Sequence, residues 1–135
     1  MNMVINFLGL IAAAAAFLSI WIGHVAVRKV EAVSRTIWFP TIVTLALGLS
    51  LEYLSLITGN PSMKIVFGIV GVTLLWDSLE LTRQQHRIKR GHAPANPNNP
   101  RHAFFLAELN SHATTQDLLK REPIGSPFHT GEGKG

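Results

Sequence analysis

Two ionisable side chains stand within long apolar stretches of this sequence, and each could carry chemistry. His24 lies near the end of an uncharged run from Val4 to Val27, and an imidazole can ligate haem or hydrogen-bond a quinone or another pigment. Glu52 lies inside a second apolar run, and an ionisable group surrounded by lipid is a candidate proton relay or ion site. Plainer roles compete with both, because His24 can bind interfacial water or lipid and Glu52 can reach the headgroups or accept a proton.

The other chemistry-bearing residues form no recognisable catalytic or metal site. The chain has no Cys, which excludes disulfides, thiolate metal ligands and cysteine nucleophiles. Five later histidines are spaced by 6, 10, 10 and 17 residues, which fits no two-ligand motif: His86, His92, His102, His112 and His129. No nucleophile elbow, phosphate-binding glycine loop or carboxylate pair is present. We therefore predict that the protein is not an enzyme and has no metal site, and no cofactor unless His24 holds one.

The apolar stretches that would position these residues predict three membrane-spanning helices. Of the 135 residues 47% are hydrophobic and only 15% charged, about ten points below the charged share of a soluble domain. The runs Val4–Val27 and Ile37–Ile57 are long enough to cross a hydrocarbon core of about 30 Å. A third run is apolar from Ile65 to Trp76, and no Gly or Pro follows it before Gly91. It predicts a single helix of roughly 29 residues that leaves the membrane.

Lys and Arg predict the orientation of these spans. With three spans, the first loop and the C-terminal region share one side, which carries every basic residue except Lys64. By the positive-inside rule the N-terminus is outside and the C-terminus cytoplasmic, as in a multi-pass protein of a bacterial inner membrane. Trp21, Trp38 and Trp76 agree, since each lies near the cytoplasmic end of its span. The basic residues then face anionic lipid headgroups rather than nucleic acid, for which no motif is present.

The region after the third span offers candidate residues for binding a partner protein. Glu80, Arg83 and Arg87 recur on one face of the charged helix, where they either stabilise it as short-range pairs or bind a partner subunit. Residues 92–101 contain three Pro and three Asn, which predicts an extended linker.

Two short apolar clusters follow the linker. Phe104, Phe105 and Leu109 on a free tail would form an exposed apolar patch, and such patches are typical of binding surfaces. Thr114 or Thr115 could cap a brief helix carrying Leu118 and Leu119, and Gly131–Gly135 is a flexible terminus in isolation.

The chain resembles a family of small bacterial three-helix membrane proteins known only as domain of unknown function 4491. That family opens with Asn-Phe-x-Gly and ends its first span with Gly-x-x-His before Lys and Glu. Its third span ends in Trp and Glu-Leu, followed by a charged helix and Gly-x-x-Pro-x-Asn-Pro. The matching residues are Asn6, Phe7, Gly9, Gly23, His24, Lys29, Glu31, Trp76, Glu80, Leu81, Gln84, Arg87, Gly91, Pro94, Asn96 and Pro97. Gly23 is closer to His24 than in the family, Val25 stands where the family tends to have Pro, and the tail from His102 is additional. The resemblance implies three helices and no activity.

Together these observations predict an all-α protein with a three-helix transmembrane domain at residues 1–91 and a mostly irregular cytoplasmic tail at 92–135. The expected function is that of a small accessory or structural subunit, which packs against a larger membrane complex and is anchored to it by the tail. A respiratory or photosynthetic complex is one possible partner. Two alternatives stay open: a subunit that binds haem, pigment or quinone at His24, and a homo-oligomeric ion or proton conductor that uses Glu52.

Overall fold

The structure, a computed structural model, describes residues 6–117 and Lys120, and this part of the chain is all-helical. It contains the helices α1 (Leu8–Val33), α2 (Trp38–Ile57), α3 (Pro61–Lys89) and α4 (Pro100–Ala107). The first three are long and apolar enough to cross a membrane, so the prediction of an all-α chain with three such helices is confirmed. The suggested helix with Leu118 and Leu119, and the terminus Gly131–Gly135, lie outside the described residues.

An Asn-Pro pair begins both α3 and α4. The Asn60 side-chain oxygen accepts hydrogen bonds from the backbone N–H groups of Ser62 (3.0 Å) and Met63 (3.1 Å). Asn99 likewise accepts from the N–H of Arg101 at 3.0 Å. In both helices proline follows as the first helical residue, where its missing N–H breaks no helical bond. The connection between α2 and α3 therefore ends in a helix cap.

Helix α3 lies between α1 and α2, which have far fewer contacts with each other. On the α2 side, the Ser55 hydroxyl donates to the Lys64 carbonyl at 2.9 Å. On the α1 side, the hydroxyls of Ser19 and Thr73 are 3.2 Å apart and share a hydrogen bond. The three long helices thus form an open layer with α3 in the middle.

Small residues allow α3 to approach its neighbours closely. A Cβ added at Gly48 of α2 would lie 2.8 Å from the Leu75 Cδ2 atom and 3.0 Å from the Gly71 carbonyl oxygen. A Cβ added at Gly23 of α1 would lie 2.6 Å from an Asp77 carboxylate oxygen. Helices in lipid associate through this kind of packing, because lipid provides no hydrophobic drive between them.

The segment after α3 packs back onto the helix layer. Composition predicts an extended linker here, whereas the structure buries Ala93 and Ala95 against Ile88 of α3 and Phe105 of α4. The Ala95 N–H also donates to the Thr114 carbonyl at 2.8 Å. The alanine side chains are small enough for the backbone to lie close to both helices. Residues 92–107 are therefore a packed cap on one end of the layer.

Gly91 allows this reversal of the chain at the end of α3. Its φ of +74° lies in the left-handed region, which glycine adopts without strain. A Cβ on this residue would also collide with the His112 carbonyl oxygen. Beside it, the His112 N–H donates to the Lys89 carbonyl at 2.9 Å.

We expect Gly91→Ala to weaken the packing of residues 92–114 by about 1–3 kcal/mol, since it adds backbone strain and a clash. Hydrogen exchange of the His112 amide measures this effect, and it should become faster. Gly59→Ala is the matched control, because open space surrounds a Cβ there and the φ of Gly59 is not positive. Equal exchange rates in both variants and the native chain would contradict the role given to Gly91.

Candidate functional site

The most elaborate polar structure in the described chain joins the end of α1 to α4. We call it the polar junction, and it consists of Glu31, Asn96, Asn99, Arg101 and His102. The last turn of any α-helix leaves carbonyl groups without helical partners. At the end of α1 these carbonyls accept hydrogen bonds from side chains that are more than 60 residues later in the sequence.

Three side chains cap the end of α1. Arg101 donates from Nη2 to the Glu31 carbonyl (2.6 Å) and from Nε to the Ser34 carbonyl (3.3 Å). The Asn99 amide donates to the carbonyls of Ala32 (3.0 Å) and Ser34 (2.9 Å). Asn96 donates a second bond to the Ala32 carbonyl at 3.0 Å. These bonds hold the first loop and the tail at the same end of the layer.

A buried carboxylate lies at the centre of the junction. Glu31 is completely buried, and its Oε1 atom lies 2.8 Å from Arg101 Nη1 and 3.1 Å from His102 Nε2. Its Oε2 atom has no hydrogen-bond partner among the described residues. Arg101 also donates to the Gln85 side-chain oxygen of α3 at 3.1 Å. Arg101 belongs to α4, and through it the junction contacts both α1 and α3.

The hydrogen bonds of His102 indicate its protonation state. Its Nδ1 atom accepts from the Asn96 N–H at 2.9 Å, so this nitrogen carries no proton. The proton then lies on Nε2, which donates to Glu31 Oε1. The His102 imidazole is thus neutral, accepting from the Asn96 N–H and donating to the Glu31 carboxylate. The cation that balances the charge of Glu31 is Arg101.

The three charged residues predicted on α3 do contact one another. Glu80 is buried and binds Arg83 (3.0 Å) and Arg87 (3.2 Å), one with each carboxylate oxygen. The Arg83 guanidinium also lies 4.8 Å from the centre of the Trp76 ring. Both arginine side chains are about half exposed. The contacts account for short-range stabilisation of the helix, and the binding of a partner by these residues stays a prediction.

The structure separates the two adjacent phenylalanines. Phe105 is buried against Ile88, with the Lys89 ammonium 4.7 Å from its ring centre. Phe104 is 65% exposed, and Leu109, in the turn after α4, is fully exposed. The apolar patch expected from Phe104, Phe105 and Leu109 therefore lacks Phe105, because that ring fills the core of the cap.

His24 and Glu52 lie at different helix contacts. His24 lines a groove of about 360 Å³ between α1 and α3, in which the other titratable residue is Asp77. Glu52 of α2 places its carboxylate over Gly71, where an added Cβ would be 2.7 Å from its Oε1 atom. Glu52 thus fills the space left by a missing side chain on α3. Cofactor binding at His24 and ion conduction through Glu52 both stay predictions.

Sequence reasoning missed the polar junction. In the sequence, Glu31 stands out only as one of the residues shared with the family, and His102 only as one of five dispersed histidines. One available signal was the repeat of Asn60-Pro61 as Asn99-Pro100, which marks a helix start rather than a linker. The capping bonds are accepted by backbone carbonyls. Every residue has one, so the residue types at the end of α1 do not reveal these bonds.

Comparison with known proteins assigns the chain to a family. A family described as a domain of unknown function (DUF4491) matches residues 6–99, which include all three long helices and the capping asparagines. No curated protein and no solved structure matches the chain. Since the match covers well over half of the sequence and agrees with the motifs that end the first and third spans, the protein belongs to the DUF4491 family.

Proposed function

We propose that the protein is a small accessory subunit that packs against a larger complex in a bacterial inner membrane. In this proposal the three long helices cross the bilayer, the N-terminus is outside, and the cap of residues 92–107 lies in the cytoplasm. The partner binds Phe104 of the cap and Leu109 in the turn after α4, two exposed apolar residues that we call the cap patch. The protein itself carries out no reaction.

The cap patch is the observation that carries the proposal. Exposed apolar side chains on α1 and α2 are expected in a membrane protein, because lipid covers them. Phe104 and Leu109 lie instead at the polar end of the layer, in and next to α4, where the neighbouring Phe105 ring lies beside Lys89 and Arg101. In the proposed orientation they face water rather than lipid, and apolar groups exposed to water are typical of binding surfaces.

The polar junction supports the proposed orientation. Because Arg101 bonds to the Glu31 and Ser34 carbonyls, the first loop and the tail share one end of the helix layer. That end also holds the basic residues of α1 and of the last turns of α3, while Lys64 is at the opposite end. Under the positive-inside rule the end rich in Lys and Arg faces the cytoplasm.

The experiment is purification of the tagged full-length protein in a mild detergent, with identification of the proteins that accompany it. The Phe104→Asp/Leu109→Asp variant should lose these proteins by about tenfold or more, since a single buried anchor residue contributes about 2 kcal/mol or more to an interface. Deleting residues 103–135 is a poorer test, because it also removes Phe105 from the core.

Thr115→Asp/Gln116→Asp is the matched control, since it adds the same charge at exposed positions outside the cap patch. It should keep the accompanying proteins. If the cap-patch variant keeps them in full yield, or if both variants lose them equally, the cap patch is not the docking surface.

A further inference from the structure

A second polar feature lies where α1 leaves the apolar zone. It is a groove of about 380 Å³ between the last turns of α1 and the charged part of α3, closed on one side by the cap. We call it the interfacial groove, and its lining residues are Val25, Arg28, Lys29, Ala32, Gln84 and Pro94. Its volume falls within the range of about 300–1,000 Å³ that is usual for small-molecule sites.

The charge of the interfacial groove is unbalanced. Arg28 and Lys29 both line it, and no acidic residue does. Neither forms an ion pair with the described residues, whereas Arg83 and Arg87 nearby are both bound to Glu80. The groove therefore presents two uncompensated positive charges to whatever enters it.

Gln84 adds a fixed hydrogen-bond donor. This residue is buried, and its side-chain oxygen accepts from Arg87 Nη1 at 3.2 Å. That bond orients the amide, and its nitrogen has no acceptor among the described residues, although it lies in the groove wall. This nitrogen is accessible rather than fully buried, so it can donate to a ligand or to water in the groove. Beside the two cations, the acceptor best suited to the Gln84 amide donor is an anionic oxygen.

The groove also has an apolar side that continues into the membrane zone. Val25 belongs to the uncharged run of α1, and Arg28 is the first charged residue after that run. A soluble anion would use only the basic side of such a site. A lipid would use both, because its phosphate sits at the interface while its acyl chain extends along α1.

We propose that the interfacial groove binds the headgroup of an anionic phospholipid, with its phosphate between Arg28, Lys29 and the Gln84 amide and one acyl chain along Val25. Basic pockets between helices at a membrane interface are suited to such headgroups. This site is separate from the cap patch and does not depend on the accessory-subunit proposal.

The test is native mass spectrometry of the detergent-purified protein mixed with phosphatidylglycerol or phosphatidylcholine at equal amounts. The native chain should retain phosphatidylglycerol preferentially. Each basic residue strengthens binding to an anionic membrane by about fivefold, so Arg28→Gln/Lys29→Gln should reduce this preference by about 25-fold. The control, Arg35→Gln/Arg90→Gln, removes the same charge at exposed positions outside the groove and should keep the preference.

Three results would overturn the proposal. The first is an equal loss in both double variants, which would show that net surface charge alone selects the lipid. The second is an unchanged preference in Arg28→Gln/Lys29→Gln. The third is full displacement of the lipid by millimolar inorganic phosphate, which would show that the groove recognises a free anion rather than a phospholipid.

Discussion

Replacing Arg101 by alanine should release the cap from the end of α1. The substitution removes the cation that faces Glu31 at 2.8 Å and the donors that satisfy the Glu31 and Ser34 carbonyls. Breaking a buried ion pair by removing one partner costs about 3–5 kcal/mol, because the remaining charge is left uncompensated. Hydrogen exchange of the Asn96 amide, which donates to His102, reports the opening of the cap. Its protection should fall by about 100-fold or more.

Two further variants separate the charge from the rest of the side chain. Arg101→Ala/Glu31→Gln should be less destabilised than Arg101→Ala alone, since no unpaired carboxylate remains. Arg90→Ala removes an exposed arginine from the same end of the layer and should leave Asn96 protected. Unchanged protection in Arg101→Ala, or a double variant less stable than Arg101→Ala, would contradict the structural account of the junction.

Replacing Gly48 by leucine should separate α2 from α3. Even a Cβ at this position would lie 2.8 Å from Leu75 and 3.0 Å from the Gly71 carbonyl oxygen, and that carbonyl is backbone that cannot rotate away. Overpacking of this kind costs about 1–3 kcal/mol. The free energy of unfolding in mixed detergent micelles, obtained by titration with sodium dodecyl sulfate, should fall by this amount.

Gly9→Leu is the control for the Gly48 experiment. It makes the same exchange near the start of α1, where nothing lies within 4 Å of an added Cβ. We expect its effect on the free energy of unfolding to be within about 0.5 kcal/mol of zero, as for surface substitutions generally. Equal destabilisation by the two leucines would mean that close approach of α2 and α3 does not depend on Gly48.

The three long helices could be predicted because length and apolar composition alone determine what can cross a bilayer. The uninterrupted helix up to Lys89 was likewise predictable, since no Gly or Pro stands between Trp76 and Gly91. The position of α3 between α1 and α2 could not be predicted. It depends on which glycines oppose which side chains, such as Gly48 against Leu75, and many pairings of small residues fit the same sequence.

The polar junction was hidden for a different physical reason. Pro and Asn are the residues of linkers, but an Asn amide is also a good donor to a helix end, and composition does not distinguish the two uses. Asn96 and Asn99 donate to the backbone carbonyls of Ala32 and Ser34. Any residue at these two positions would offer the same acceptor. Only the fold shows that the two segments meet.

The polar junction also sets an order for biosynthesis. The C-terminal carbonyls of α1 emerge from the ribosome about 65 residues before the asparagines and the arginine that will cap them. Until the tail has been synthesised, these acceptors and the Glu31 carboxylate lack the partners that Asn96, Asn99 and Arg101 supply. The polar junction can therefore form only after α2 and α3 have been synthesised and have brought residues 96–102 back to the end of α1.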